Sequence, residues 1–164
     1  MIFMKTGKNQ QVWKQGDLFV IPTADGRYSV GQVVVREPKL LNSVSIALFD
    51  LRFDSVGSAA VTALPKAESA FAVLFCTRDL LDSGHWKVVG NGPASIPQRM
   101  QPYEHLRGTG FVGAKVVGSA NINEFVNAFY GLSPWDDWKD PQYLDRLLIS
   151  SAKKPKNLLY KRAA

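Results

Sequence analysis

Apolar residues in the first half of the chain fall in short runs and alternations, and the helical period does not emerge until past residue 118. Residues 16–23, GDLFVIPT, hold the run Leu18-Phe19-Val20-Ile21 closed by Pro22, which predicts a strand. Ala24-Asp25-Gly26 supplies a turn, with Gly26 able to take positive φ. Residues 27–36, RYSVGQVVVR, predict the return strand of a hairpin. Tyr28, Val30, Gln32 and Val34 share one face, and Ser29, Gly31, Val33 and Val35 the other. Gly31 in mid-strand predicts a bulge or a sharp bend. Residues 43–53, SVSIALFDLRF, predict a third strand, in which Val44, Ile46 and Leu48 alternate with Ser43, Ser45 and Ala47.

The pattern then changes in steps. Residues 54–60 are small and predict a loop, while residues 61–67 fit no single element. Residues 70–77, AFAVLFCT, are almost wholly apolar and too short for a typical helix, which predicts a buried strand carrying an inert Cys76. Thr77 is placed to cap a helical turn over 78–83, ended by Gly84. Residues 85–89, HWKVV, predict a strand, stopped by Gly90-Asn91-Gly92-Pro93. Residues 94–108 are polar and proline-punctuated, a surface excursion, and 111–117 predict one more strand. Asn121 and Glu124 have capping-box spacing, and Ile122, Phe125, Val126, Phe129 and Tyr130 follow the helical period up to Gly131. Asp140-Pro141 opens a second helix with Tyr143, Leu144, Leu147 and Leu148 on its apolar face. The expected fold class is α+β: a strongly curved antiparallel sheet, an SH3-like partial barrel, with two C-terminal helices. The expected organisation is a flexible lead-in over 1–14 in which Trp13 docks, a single domain over 15–150, and a basic tail over 151–164.

Composition narrows the class. No apolar run approaches the roughly 20 residues of a membrane span, and the first eleven residues lack the apolar core of a secretory signal. The single cysteine allows neither an internal disulfide nor a cysteine zinc site, so the cytoplasm is the expected compartment. The net charge of +6 invites a nucleic-acid reading, but its distribution changes that. Residues 15–150 carry 12 basic against 14 acidic residues, and the positive excess lies at the two ends. A solvated basic tail is the expectation, and a folded basic face of the kind nucleic-acid binders use is not evident.

Candidate chemistry is sparse. His85 and His105 have no second ligand at metal-site spacing. Nucleophile-elbow, phosphate-loop and dinucleotide patterns are missing. Asp50 with Asp54, or Asp136 with Asp137, are the only acid pairs to consider for acid–base work, and adjacent loop acids more often cap or recognise than catalyse. No catalytic, cofactor-binding or metal-binding residue is assigned, and no enzyme activity or cofactor is expected. A nucleic-acid-binding module is the alternative, with Tyr28, Phe49, Phe53 and Trp86 as base-stacking candidates on the barrel and the basic ends as electrostatic contacts. The most unusual stretch is 133–140, SPWDDWKD, two tryptophans and three aspartates in one loop. Tryptophan is enriched in binding hot spots and loops carry function on rigid scaffolds. The same residues also suit packing, with the tryptophans seated on the second helix and the acids capping it.

The motifs together resemble one family. Gly16, Asp17, Phe19, Ile21 and Pro22, then Gly26, Tyr28, Gly31, Gln32 and Val33, then Phe49 with Asp50, resemble the immunity protein 26 family of bacterial polymorphic-toxin systems. Trp86, Val88, Val89, Gly90 and Asn91 are similar to a later motif of that family. The resemblance implies a protein that binds a cognate toxin domain and neutralises it by occlusion, without reaction, cofactor, membrane or nucleic acid. Its motif residues are expected to make the fold. The expected partner-binding residues are Trp135, Asp136, Asp137, Trp138 and Asp140 of the unusual loop, with Asp17, which either bonds nearby backbone or faces a partner.

Overall fold

The hairpin at the start of the chain sets the architecture. In the computed structural model, which describes residues 11–60 and 64–162, β1 (Asp17–Pro22) pairs antiparallel with β2 (Tyr28–Glu37), and β2 with β3 (Ser43–Phe53). β4 (Ala70–Cys76) adds to β3, and β5 (Lys87–Asn91) returns to β1, giving the order β4-β3-β2-β1-β5. All four pairings are antiparallel, and the sheet stays open with β4 and β5 as its edges. This is the α+β, curved-sheet class that the strand pattern predicts.

Register breaks produce the curvature. β2 and β3 slip between Ser29 and Val30 and between Val33 and Val35, and β1 and β5 slip between Leu18 and Phe19. Bulges of this kind raise the local twist and bend the sheet. Gly31 stands between two of them and serves a further purpose. The Phe19 ring lies across it, where a Cβ would sit 2.5 Å from Phe19 Cζ.

Both faces of the sheet are covered. On one, Phe19, Ile21, Val33, Val44, Ile46, Leu48, Phe71 and Trp86 pack against α3 (Ser119–Phe129), whose Ile122, Phe125, Val126 and Phe129 point inward. Phe71 stacks on Phe129 with ring centroids 3.7 Å apart, and Phe19 stacks on Trp86 at 5.2 Å. On the other face, Val20, Val30, Val34, Phe49 and Val73 form a smaller core with Ile96 and with α1 (Val56–Ala60). A strand buried on both sides shows little polar alternation, which is why β3 and β4 read as nearly continuous apolar runs.

Several expectations are corrected. The small-residue loop expected over 54–60 contains α1, and 61–63, part of the stretch that fits no element, lie outside the described residues. The helical turn expected over 78–83 is α2 (Asp79–Ser83), ended by Gly84 at φ 83°. The strand expected at 85–89 begins two residues later, because the Trp86 amide turns back to Leu80 O. Residues 111–117 are not a strand: Gly110, Phe111 and Gly113 all have positive φ, and only Val117 bridges to Cys76. α3 begins at Ser119 rather than at Asn121. Its cap is tertiary, with the Ser119 amide donating to Thr77 Oγ1 and the Ser119 hydroxyl to Asp79.

The described segments nearest the two termini are also drawn in. Residues 1–10 lie outside the described residues, but Gln11 donates to Leu81 O and Trp86 O and accepts from the Val88 amide. Trp13 is buried, its indole N–H donating to Asp82 at 2.7 Å and its ring under the Arg36 guanidinium. The C-terminal segment, expected to be solvated, follows the body instead: Leu158 packs on the main core, Leu159 bridges to Pro134, and Lys154 pairs with Asp145 at 2.8 Å.

Candidate partner-binding surface

The loop 133–140 connects α3 to α4 (Tyr143–Leu147), and the fold sorts its residues into two groups. Trp135 and Asp136 face inward. Trp135 is 1% exposed, packs against Phe125, and its indole N–H donates to Asp145 at 3.0 Å. Its amide donates to Leu159 O at 2.8 Å. Asp136 accepts the amides of Lys161 at 2.6 Å and Arg162 at 3.2 Å. Burial pushes the Asp136 carboxyl up, but the two amides outweigh it and hold the group below the usual carboxylate value. For Asp145 likewise, burial is outweighed by hydrogen bonds from Lys154 and Trp135, and its value is lowered.

Asp137, Trp138 and Asp140 face outward. Asp137 is exposed and pairs with Lys161 Nζ at 3.1 Å. Asp140 accepts the Gln142 amide at 2.9 Å, which fixes the turn into α4, and pairs with Arg146. Trp138 lies half-buried with its ring centroid 4.8 Å from that of Tyr143. A cleft of about 290 Å³ opens on one side of it, lined by Asn121, Glu124, Ser133, Pro134 and Asp137. A second, of about 250 Å³, opens on the other, lined by Asn121, Lys139, Asp140 and Tyr143. Asn121 and Glu124 were missed from sequence. Their i, i+3 spacing on the polar face of the helix was the available signal, and it reads equally as a capping box.

Asp17 lies elsewhere. It is 2% exposed, and its carboxylate accepts the Lys14 amide at 2.9 Å and the Asn91 side-chain amide at 2.8 Å. Of the two roles open to it, bonding to nearby backbone is the one seen. Buried Gln32 works beside it, donating to Gly16 O and Pro93 O and accepting from the Ser95 amide. Gly16, at φ 87°, runs so close to β5 that a Cβ would lie 2.4 Å from Gly92 O. Motif residues far apart in sequence therefore meet at one polar node that ties β1, β2 and β5 together.

The other candidates fall in the core or on solvated turns. Phe49 and Trp86 are fully buried and Tyr28 and Phe53 pack on the smaller core, so these four rings present no stacking platform. Asp54 pairs with Arg27 at 3.0 Å. Burial pushes the Cys76 thiol far up, where it is inert. Among the described residues there is no group of three His, Cys, Asp or Glu side chains that could hold a metal, and no helix is long and apolar enough to cross a membrane.

A comparison with protein families decides the class. The profile of immunity protein 26 matches residues 14–107, more than half of the chain. The chain belongs to the immunity protein 26 family. No curated protein and no solved structure matches it. The matched region of this immunity protein spans the sheet and the polar node of Asp17, Gln32 and Asn91, and stops before α3 and the loop 133–140. The surface around Trp138 lies outside the matched region.

Proposed function

We propose that this immunity protein neutralises a cognate toxin by binding it and covering a functional surface, without a reaction of its own, in the cytoplasm of the cell that carries it. Family membership is the observation that carries the reading. The contact we assign includes Trp138, Asp137 and Asp140. Trp135 and Asp136 support it from behind, and Asp17 acts only through the fold.

Three properties of the loop favour this contact. Trp135 and Asp136 hold it by partly buried hydrogen bonds, so it loses little conformational freedom on binding. Trp138 stands between two clefts, the setting in which an aromatic anchor contributes most. Asp137 and Asp140 are paired only at the surface, with Lys161 and Arg146, and cations of a toxin can replace those partners at little cost. A basic toxin cleft is the complementary shape and charge.

The test is co-expression with the polypeptide encoded by the neighbouring gene, followed by a pull-down and a growth-protection assay. A one-to-one complex that restores growth, weakened about 30-fold by Trp138→Ala and further by Asp137→Lys, is the expected result. Full protection by both variants would move the contact elsewhere on the molecule. Absence of both the complex and the protection would refute neutralisation.

A further inference from the structure

We infer that the open stretch of the β4 edge receives an extended segment of the toxin, which adds a short strand to the sheet between Val117 and Ile149. This rests on the immunity reading and deepens it by naming the kind of chain that binds and where.

β4 is an edge strand of wholly apolar sequence, the kind of edge that proteins normally cover. Its side chains are all buried, but only its ends have backbone partners on the outer side. The Ile149 amide donates to Phe71 O at 2.9 Å, the Val117 amide donates to Phe75 O at 2.9 Å, and the Thr77 amide donates to Val117 O at 3.0 Å. These bonds show that odd-numbered residues turn their backbone groups away from β3. The same alternation aims the Val73 N–H, the Val73 C=O and the Phe75 N–H outward. Among the described residues none of these three groups has a partner on that side. The gap from Phe71 to Phe75 is about 13 Å at strand rise, room for three or four residues of extended chain.

The space over this gap is a groove of about 670 Å³. Met100, Tyr103, Val116, Leu147 and Leu148 are among the residues that line it. Unpaired strand donors and acceptors on the floor with an apolar lining specify an extended backbone bearing apolar side chains. The rim adds charge: Lys115 stands on it, and Arg146, which pairs with Asp140 at the surface, while Asp145 is turned to Lys154 and the Trp135 indole. An acidic residue beside the apolar ones fits that rim. Tyr143 lines both this groove and the cleft beside Trp138, so the two contacts form one continuous surface.

Residue-resolved amide exchange on the full chain tests the inference, alone at two concentrations and in complex with the polypeptide encoded by the neighbouring gene. In the complex the Val73 and Phe75 amides are expected to slow at least tenfold, while Leu74 and Thr77, already bonded, change little. Val73→Pro removes one outward donor at an edge position where proline is tolerated, and should weaken binding about tenfold. A complex with unchanged exchange at Val73 and Phe75, and equal affinity of Val73→Pro, overturns the groove and leaves the immunity reading standing. Protection that rises with concentration in the free chain assigns the edge to a second copy and overturns the toxin segment. Failure to form any complex overturns both. If Val73→Pro does not fold, the exchange pattern of the unaltered chain decides.

Discussion

Gly31→Ala is the sharpest probe of why a glycine stands in the middle of β2. A Cβ there would lie 2.5 Å from Phe19 Cζ, 2.8 Å from Cε2 and 3.1 Å from Ala47 O. Carbon atoms in favourable contact sit about 3.5–4.0 Å apart, so the ring must move by about an ångström. It has little room: Phe19 is fully buried and stacked on Trp86, whose indole N–H is held by Asn123 at 2.8 Å. Overpacking of this kind costs about 1–3 kcal/mol, and alanine recovers about 0.5–1 kcal/mol over glycine in a strand. At mid-range the net loss is about 1 kcal/mol. With a urea slope near 2 kcal/mol/M, the unfolding midpoint should fall by about 0.5 M. Adding Phe19→Leu should give a double variant less destabilised than the two single losses summed, because the clash is with the ring itself. A midpoint for Gly31→Ala equal to or above that of the unaltered protein, or strict additivity with Phe19→Leu, would refute the close-approach argument.

Two further outcomes follow from the charged groups. The Thr23 hydroxyl chiefly, with the Arg52 guanidinium and the Arg27 amide, outweighs the opposing effect of burial and holds Asp25 at about 2, below its ordinary 3.8. A lowered folded value means that the unfolded chain takes up the proton first. The contribution of Asp25 is therefore complete above about pH 4 and disappears as the pH falls through about 2, and Asp25→Asn should flatten the stability-against-pH curve in that window. Asp136→Asn should loosen the C-terminal segment, which Asp136 holds through the Lys161 and Arg162 amides. Trypsin should then cut after Lys161 and Arg162 severalfold faster in the folded variant, and equal rates would show that Leu158 and Leu159 suffice to hold the segment.

The legible parts of the fold share a physical reason. β1, β2, β3 and β4 stand out because a strand buried on one or both faces must carry apolar residues at fixed positions, and no later event alters that requirement. The illegible parts depend on partners distant in sequence. Residues 111–117 read as a strand flanked by Gly110 and Gly118, yet three positive-φ residues turn the chain before Val117 reaches β4. Asn121 and Glu124 have the spacing of a cap, but Thr77 and Asp79, about 40 residues earlier, hold Ser119 and start the helix sooner. The unusual loop was visible in sequence as a cluster of tryptophan and aspartate, whereas which tryptophan is buried was not. Trp135 turns inward because Asp145 and Leu159 offer it partners, and Trp138 is left beside the clefts.

The sequence by itself determined the antiparallel sheet, the hairpin turn, the two apolar helix faces and, through its motifs, the family. Each follows from local periodicity or from backbone conformations that only certain residues allow. Tertiary structure alone decided the role of the basic tail and of the acids. Five basic residues near the C-terminus read as a solvated run, yet Lys154, Lys161 and Arg162 meet Asp145, Asp137 and Asp136 because Leu158 and Leu159 bring the segment back onto the body. Charges separated along the chain become neighbours only after packing. Which carboxylates serve the fold, and which are left outward, is therefore settled after the core forms.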